Sequence, residues 1–358
     1  MSVGIVGMGS SLPAVRPNAW WPESVTRTWE DMRVQNALRG RDLPGDLDTV
    51  CARITKAAMA GAENEPFFGI VERRALGPAE TTLQHEVVAV KAALLDAARP
   101  TSDIDFILVH STLPASLLIG NGPALHAELG LAEDVRVVSV EAVFNSFQVQ
   151  LDLARMMIAS GDYRCGLLVQ SSGTTKLLPR EDPTSALFGD GATAQIVAKV
   201  SAGRGVLAMA HLTDGSVYRA AVIGNPEPGR GWWEDGTTTL HIAEPAQARK
   251  MFLGAADIAQ RLVGRALTKA GLDARDVAFY AGHQSTSWFS RVMQEAGGVA
   301  HARSVVTFPF LGNMGASNLP MVLEIGRKEG LLRDGDVVAM LSGGSGQNAT
   351  GSVMRFGK

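Results

Sequence analysis

Two segments of this sequence open helical patterns at positions that could do chemistry. One pattern begins at Phe144, within the run Val140–Phe147, and the other begins at Asn313, within the run Phe310–Ser317. A helix N-terminus offers backbone N–H groups without intrahelical partners and the positive end of the helix dipole. If the two helix starts converge, the sequence predicts a site for an anion or a developing oxyanion.

An internal repeat makes these two positions equivalent. In each half a helical pattern precedes a strand with a polar loop, and then a helix that ends at a glycine, a strand and a closing strand follow. These elements are 82–95, 103–112, 144–161, 165–169 and 191–197 in the first half, and 256–270, 276–285, 313–330, 337–341 and 349–354 in the second. The pattern predicts an α/β fold with two duplicated halves of five strands, packed through shared helices. Two ordinary α/β domains with a coincidental likeness are the alternative.

The repeat places the two halves at residues 1–200 and 201–358. Residues from about 14 to 68 interrupt the pattern, are rich in Trp, Arg and Pro, and contain a helical stretch near 47–61. We interpret this stretch as an insertion over the first half. Residues 226–239 form a second loop. Each of these segments could cover a pocket, make a dimer contact or be a surface loop.

Composition excludes several classes of protein. The 358 residues are 46% apolar with a net charge of −3, which allows a large core and shows no electrostatic footprint for nucleic acid. Two cysteines make no disulfide framework, and no His/Cys cluster has zinc spacing. No signal peptide or membrane span is expected, so the chain is predicted to be cytoplasmic.

Three specific motifs occur in a fixed order, whereas no P-loop and no nucleophile elbow occurs. They are Leu187–Ala192 (LFGDGA), Gly282–Ser285 (GHQS) and Phe310–Ser317 (FLGNMGAS). Together they resemble the β-ketoacyl-ACP synthase III family of the thiolase superfamily, from about residue 69 to residue 356. The resemblance implies a thiolase-type duplicated fold in five layers, α-β-α-β-α, and a homodimer.

The resemblance also implies a Cys-His-Asn site, of which only two members are in place. His283 matches the catalytic His and Asn313 matches the Asn, but the position of the nucleophilic Cys is occupied by Phe144. The Phe144 N–H does not depend on its side chain, so an oxyanion hole with the glycine loop 343–346, including Gly344 and Gly346, is expected to survive. Phe144 is expected to shorten or plug the acyl tunnel that starts at the thiol.

Three functions remain open at this stage. The first is direct acyl transfer from a CoA or acyl-carrier-protein thioester to a hydroxyl, amine or carbanion, in polyketide, fatty-acid or other secondary metabolism, with His283 as base and Asn313 activating the substrate. The second is a catalytically silent partner subunit of an active ketosynthase, in a heteromer. The third is decarboxylation of malonyl-type thioesters. No cofactor, metal, nucleic acid or membrane is expected to take part.

Other residues with reactive side chains receive structural interpretations. Ser146 lies about 200° around the helix from Phe144 and is expected to point away from the thiol position. Cys165 is expected to pack in a strand, whereas the place of Cys51 in the insertion is not predicted. His110, which corresponds to His283 in the first half, is interpreted as a structural or pocket-lining residue.

Two further predictions concern an aspartate and a pair of arginines. Asp190 is predicted to fix the turn before the last strand of the first half. Arg73 and Arg74 lie near the place where the family meets the phosphate-bearing arm of the carrier, so the resemblance suggests a contact there.

Overall fold

A computed structural model describes residues 2–29, 42–62, 65–236, 238–344, 346 and 348–358. The helices are α1 (residues 23–29, as far as described), α2 (Val50–Gly61), α3 (Thr82–Ala97), α4 (Gly122–Glu128), α5 (Ser146–Ser160), α6 (Thr174–Leu177), α7 (Pro245–Ala270), α8 (Phe289–Ala296), α9 (Phe308–Leu311) and α10 (Asn318–Lys328). None of the described helices is long and apolar enough to cross a membrane.

Thirteen strands are described in two main sheets and two short hairpin-like pairs. They are β1 (Val3–Ser11), β2 (Val15–Pro17), β3 (Glu72–Arg74), β4 (Phe106–Ser111), β5 (Arg136–Ser139), β6 (Cys165–Ser172), β7 (Gly191–Lys199), β8 (Gly205–Thr213), β9 (Val222–Gly224), β10 (Thr239–His241), β11 (Phe279–Gly282), β12 (Val337–Gly343) and β13 (Asn348–Arg355).

The two main sheets repeat one topology. The first has the order β1-β7-β6-β4-β5 and the second has the order β8-β13-β12-β11. In both halves the first and last strands of the half, in chain order, pair antiparallel (β1 with β7, β8 with β13), and the next two strands of the sheet pair parallel with each other (β6 with β4, β12 with β11). This confirms the predicted duplication. The fifth strand expected in the second half is reduced to a single parallel bridge between Arg303 and Phe279, because the chain soon turns into α9.

Five layers follow from the packing of apolar faces. The central cluster contains residues of both sheets together with Phe147 and Leu151 of α5 and Leu319 and Val322 of α10. A second cluster joins α3 to the outer face of the first sheet, and a third joins α7 and α8 to the outer face of the second. The order is therefore α-β-α-β-α, as expected for a duplicated fold.

The two central helices, α5 and α10, end near the glycines at which the sequence predicts their ends. Gly161 adopts a left-handed conformation (φ 93°) directly after α5, and Gly330 does so (φ 70°) two residues after α10. The helix starts differ from the prediction. A single 3-10 turn, Val143–Asn145, precedes α5, and another, Gly315–Ser317, precedes α10, so Phe144 and Asn313 lie in the approach to each helix.

The insertion does not lie over the first half alone, which corrects the sequence interpretation. Cys51 of α2 belongs to the cluster of the second half, and Thr49 Oγ1 donates a hydrogen bond to Asp257 of α7 (2.8 Å). Trp21 and Trp29 belong instead to a separate aromatic cluster with Phe67. The helical stretch predicted near 47–61 is confirmed as α2.

Candidate active site

His283 directly follows β11, and its loop is fixed by the neighbouring elements. Its N–H donates to the Leu341 carbonyl of β12 (3.0 Å). The Gln284 N–H donates to Asn318 Oδ1 at the start of α10 (2.9 Å), and Gln284 Nε2 donates to the Val305 carbonyl (2.7 Å). These hydrogen bonds attach the loop that carries His283 to the sheet and to the central helix.

The imidazole of His283 is buried and has no hydrogen-bond partner in the described part of the chain. The residue is 4% exposed, and both ring nitrogens are enclosed. Burial lowers the pKa of His283 to about 4, and the Gly315 backbone, which lies outside hydrogen-bonding geometry, acts weakly in the opposite direction. The ring is therefore neutral near pH 7 and offers one donor and one acceptor nitrogen. An unpartnered buried polar group costs about 1–3 kcal/mol, which indicates a site awaiting a ligand.

The backbone of Asn313 is clamped by the first-half motif that precedes β7. Its N–H donates to the Leu187 carbonyl (2.9 Å), and its carbonyl accepts from the Gly189 N–H (3.1 Å). A Cβ on Gly189 would lie 1.7 Å from the Leu311 carbonyl oxygen, so this close approach requires glycine. The LFGDGA motif of one half therefore positions the asparagine of the other.

In the side chain of Asn313, the oxygen accepts a hydrogen bond and the NH₂ group is available as a donor. Its Oδ1 accepts a hydrogen bond from the Gly315 N–H (2.9 Å). This fixes the orientation of the amide, because only the oxygen can accept from an N–H group. No described residue accepts from Nδ2, so the NH₂ group is available as a donor beside the 3-10 turn.

The turn that carries Phe144 is strained. Val143 has a φ of 52°, which is a rare conformation for a β-branched residue and costs on the order of 1–3 kcal/mol. Its N–H donates to Glu141 Oε1 (2.7 Å). Asn145 anchors the other end, because its Nδ2 donates to Thr350 Oγ1 of β13 (3.0 Å). The strain is therefore held by contacts with both halves of the molecule.

The Phe144 ring occupies the space between the two helix approaches. It stacks on the His283 imidazole with a centroid separation of 4.8 Å and an interplanar angle of 20°. A Cβ on Gly315 would lie 3.4 Å from Phe144 Cδ1, so the ring also lies over the turn that follows Asn313. Positions 144, 283 and 313–315 thus lie together around the half-buried ring.

The glycine loop meets Phe144 through its backbone at one position. A Cβ on Gly344 would lie 2.7 Å from Val143 Cβ and 3.2 Å from the Phe144 nitrogen. The Gly344 N–H itself donates to the Asn348 carbonyl (3.0 Å) and so is already used. Gly346 lies near Tyr218 instead, and residue 345 is outside the described residues. Of the expected oxyanion-hole donors, the Phe144 N–H has no acceptor among the described residues.

Neither Ser146 nor a cysteine replaces the missing nucleophile. Ser146 Oγ is buried, donates to the Val143 carbonyl (2.7 Å) and accepts from the Ala142 N–H (3.0 Å). Cys165 is buried in β6, and burial raises the pKa of its thiol to about 11. Burial, followed by the Asp257 charge, also raises the pKa of Cys51, which packs from α2 into the cluster of the second half. Both thiols are thus inert packing groups.

Of the two arginines that the resemblance suggests would meet a carrier, Arg73 is buried and Arg74 is half-buried. The Arg73 guanidinium is fully enclosed, donates from Nε and Nη2 to the Ala186 carbonyl (2.9 and 2.6 Å), and stacks over Trp21 with 4.2 Å to the ring centroid. Burial lowers the pKa of Arg73 to about 9. It therefore anchors the aromatic cluster and is not a surface contact. Asp190, predicted to fix the turn before β7, instead joins that turn to distant segments, because its Oδ2 accepts from the Leu76 N–H (3.0 Å) and its Oδ1 from the Thr175 N–H (3.0 Å).

Three positioning residues were missed from the sequence. Gln284 and Asn318 hold the His283 loop, and the Leu187 carbonyl holds Asn313. All three lie within or one residue beyond the motifs that were recognised. These positioning residues could therefore have been found by asking what the non-catalytic residues of each motif, and the residue that follows it, hold in place.

Two family models match this chain. The model described as 3-oxoacyl-[acyl-carrier-protein (ACP)] synthase III matches residues 139–215, and the model of its C-terminal part matches residues 267–356. The β-ketoacyl-[acyl-carrier-protein] synthase III 1 of Bacillus cereus is 28% identical over 291 residues, which cover 81% of this chain and 88% of that protein. The synthase III of Syntrophomonas wolfei is 26% identical over 363 residues, with 100% and 98% covered.

Solved structures share the fold over the full length. The 3-oxoacyl-[acyl-carrier-protein] synthase III of Aquifex aeolicus has a TM-score of 0.77 at 23% identity, with 99% of this chain and 100% of that chain covered. The cerulenin-bound OleA of Xanthomonas campestris has a TM-score of 0.78 at 17% identity, with 99% and 97% covered.

Proposed function

Because this chain is a β-ketoacyl-ACP synthase III-like protein of the thiolase superfamily, we propose that it is an acyltransferase that acts on acyl thioesters. The donor is a thioester of CoA or of an acyl carrier protein. The acyl group passes directly to an acceptor in a ternary complex, because Phe144 cannot form an acyl-enzyme. We place the reaction in polyketide, fatty-acid or other secondary metabolism.

The buried, unpartnered imidazole of His283 beside the free amide of Asn313 carries this proposal. Attack on a thioester places negative charge on the carbonyl oxygen, and fixed N–H donors lower the free energy of that state. His283 and the Asn313 NH₂ group supply two such donors, and the Phe144 N–H supplies a third. A pKa of about 4 makes His283 a weak base, so its environment favours the donor role over the base role expected from the resemblance.

The test is thioester consumption by the pure protein, followed as release of free thiol from acetyl-CoA with a panel of alcohols and amines. His283→Ala should lower the rate on the order of 10²–10⁴-fold, and Asn313→Ala on the order of 10²–10³-fold. Circular dichroism should show both variants folded. Unchanged turnover in His283→Ala would contradict the assigned mechanism.

A silent partner subunit is the second candidate, and the position of the Phe144 ring favours it. The ring covers one face of the His283 imidazole and the 313–315 turn, where a substrate carbonyl would have to approach. In that case the pure protein would consume no thioester. Turnover would appear only when a homologue with Cys at the equivalent position is added, and release of CO₂ from malonyl-CoA alone would instead identify a decarboxylase.

A further inference from the structure

His110 is the first-half counterpart of His283 and faces the same central layer. Side chains alternate between the two faces of a strand. Leu108 of β4 and Ala281 of β11 both belong to the central cluster, so the residues two positions further along, His110 and His283, point to the same side of their sheets. His110 is also 4% exposed, and its Nε2 is enclosed without a partner in the part of the chain that is described.

Neighbouring contacts place His110 beside the turn that follows Asn313. His110 pairs with Gln170 across β4 and β6, and the Gln170 carbonyl accepts a hydrogen bond from Ser317 Oγ (2.9 Å). Two residues beyond His110, Thr112 Cγ2 lies 4.0 Å from the position of a Cβ on Gly315. His110 therefore lies at the level of the candidate active site, near the turn that follows Asn313.

A carboxylate orients His110, in contrast to His283. Glu141 Oε2 lies 3.2 Å from His110 Nδ1, and Glu141 Oε1 accepts the N–H of the strained Val143 (2.7 Å). Burial acts to raise the pKa of Glu141, but the hydrogen bond and charge of His110 and the Val143 N–H outweigh it and lower that pKa. An ionised carboxylate at Nδ1 holds the proton there, which leaves the lone pair on Nε2.

Glu86 is a second carboxyl group near His110, but it serves a different network. Its Oε1 accepts hydrogen bonds from Asn121 Nδ2 (2.9 Å) and Ser171 Oγ (2.5 Å). Burial raises the pKa of Glu86, partly offset by those hydrogen bonds and by the charge of His110. Glu86 Oε1 is committed to Asn121 and Ser171, whereas Glu141 Oε2 lies 3.2 Å from His110 Nδ1, so Glu141 is the group that orients His110.

We propose that His110, oriented by Glu141, is the base that takes the proton of the acceptor hydroxyl or amine. This inference rests on the proposed acyl transfer. In that reaction His283 donates a hydrogen bond to the thioester carbonyl, and His110 activates the acceptor. Glu141 is a positioning residue that stabilises the imidazolium formed on His110. Two groups of one type in different environments commonly take such separate roles.

The step is balanced without any further reactant. The acceptor X–H bond breaks as its proton moves to His110 Nε2, and X forms a bond with the acyl carbon. The tetrahedral intermediate then expels the thiolate as the C–S bond breaks. The His110 imidazolium returns the proton to the sulfur, so that R–CO–SR′ and X–H give R–CO–X and HS–R′.

The test compares acceptors that need a base with one that does not. Acetyl-CoA is the donor, and its loss is followed by chromatography, because a thiol acceptor gives no net release of thiol. The alcohols and amines that support wild-type turnover form one group of acceptors, and thiophenolate, which is already ionised, forms the other. His110→Gln should lower the rate on the order of 10²–10⁴-fold with alcohols and amines, and less than about tenfold with thiophenolate. Glu141→Gln, which keeps an acceptor for the Val143 N–H, should show the same selectivity with a smaller loss.

His126→Gln is the control, because His126 lies on α4 and its Nε2 lies 2.9 Å from the Ala132 carbonyl oxygen, away from the strained turn and its anchors. It should leave both acceptor classes unaffected. Equal losses with both classes in His110→Gln would show that the pair only supports the strained turn and would overturn the inference. Loss in His283→Ala with no loss in His110→Gln would overturn this inference alone, whereas absence of wild-type turnover would overturn the proposed function as well.

Discussion

The rings of Phe144 and His283 stack at 4.8 Å with their planes inclined by only 20°. Phe144 thereby covers one face of the imidazole at the place where the family resemblance puts the nucleophilic sulfur. The contact joins the two halves of the duplicated fold, since Phe144 precedes α5 and His283 follows β11. It also removes water from the imidazole, in keeping with the lowered pKa of His283.

Replacing Phe144 by Cys should create an acylated protein. The thiol would stand next to His283 and the Asn313 amide, at a turn whose N–H groups favour a thiolate. Removing the ring would also open space for a short acyl chain. Incubation with acetyl-CoA should therefore add one acetyl group, detected by intact-protein mass spectrometry and mapped to residue 144.

Phe144→Ala is the matched control, because it opens the same space without a nucleophile and should gain no mass. Wild-type protein should also stay unmodified. A folded Phe144→Cys variant that is not acylated would indicate that the substrate pocket itself has been lost, which would favour the partner-subunit function.

Asn313→Asp should abolish turnover without unfolding the protein. An aspartate keeps an oxygen for the Gly315 N–H (2.9 Å) but replaces the Nδ2 donor by a second acceptor. It would repel the oxyanion that the amide is proposed to bind, so we expect a loss of at least about 10²-fold in thioester consumption. The melting temperature, measured by circular dichroism, should stay near that of the wild type. Activity close to wild type would contradict the donor role.

Most of the fold could be predicted from the sequence because duplication leaves regular signals. Alternating strands and glycine helix ends recur in both halves, and Gly161 and Gly330 follow the ends of their helices as expected, with both in left-handed conformations. The position of α2 could not be predicted, because its contact with α7 depends on pairs such as Thr49 and Asp257 that are distant in sequence. The periodicity of apolar residues shows which face of a helix is apolar, but it does not show which surface that face packs against.

The residues of the site were recognisable, but their environments were not. His283 and Asn313 stand in ordered motifs, whereas the missing partners of the His283 ring and the burial of Arg73 are properties of tertiary packing. The pairing of His110 with Glu141 also has no signal in spacing, since a strand end and a turn supply the two groups.

Gly344→Ala should destabilise the protein and lower its activity. A methyl group there would lie 2.7 Å from Val143 Cβ and 3.2 Å from the Phe144 nitrogen, which would displace the strained turn and its N–H donor. Overpacking of this kind costs about 1–3 kcal/mol in the free energy of unfolding, measurable by urea denaturation. Gly264→Ala on α7 is the control: nothing lies within 4 Å of its Cβ position, and it should be neutral or stabilising. Equal effects of the two changes would show that Gly344 tolerates a side chain.

His283 should make the protein less stable as the pH falls. Its pKa is about 4 in the folded chain and near 6.5 when exposed, so between these values the unfolded chain binds more protons. Its contribution to the free energy of unfolding is fully present above pH 6.5 and is lost as the pH falls toward 4, by about 3 kcal/mol in total. Asp190 acts in the opposite direction, because burial raises its pKa to about 6 and the folded state gains that proton first.

Comparison of the wild type with His283→Asn isolates the histidine, since Asp190 is present in both proteins. Urea denaturation at a series of pH values should show the variant gaining about 3 kcal/mol relative to the wild type between pH 7 and pH 4. His301→Asn, a change at an exposed histidine, should show no such trend. A stability difference between wild type and His283→Asn that stays constant over this range would mean that the imidazole is hydrated or paired in solution. His283 would then not be an unpartnered group that awaits a ligand.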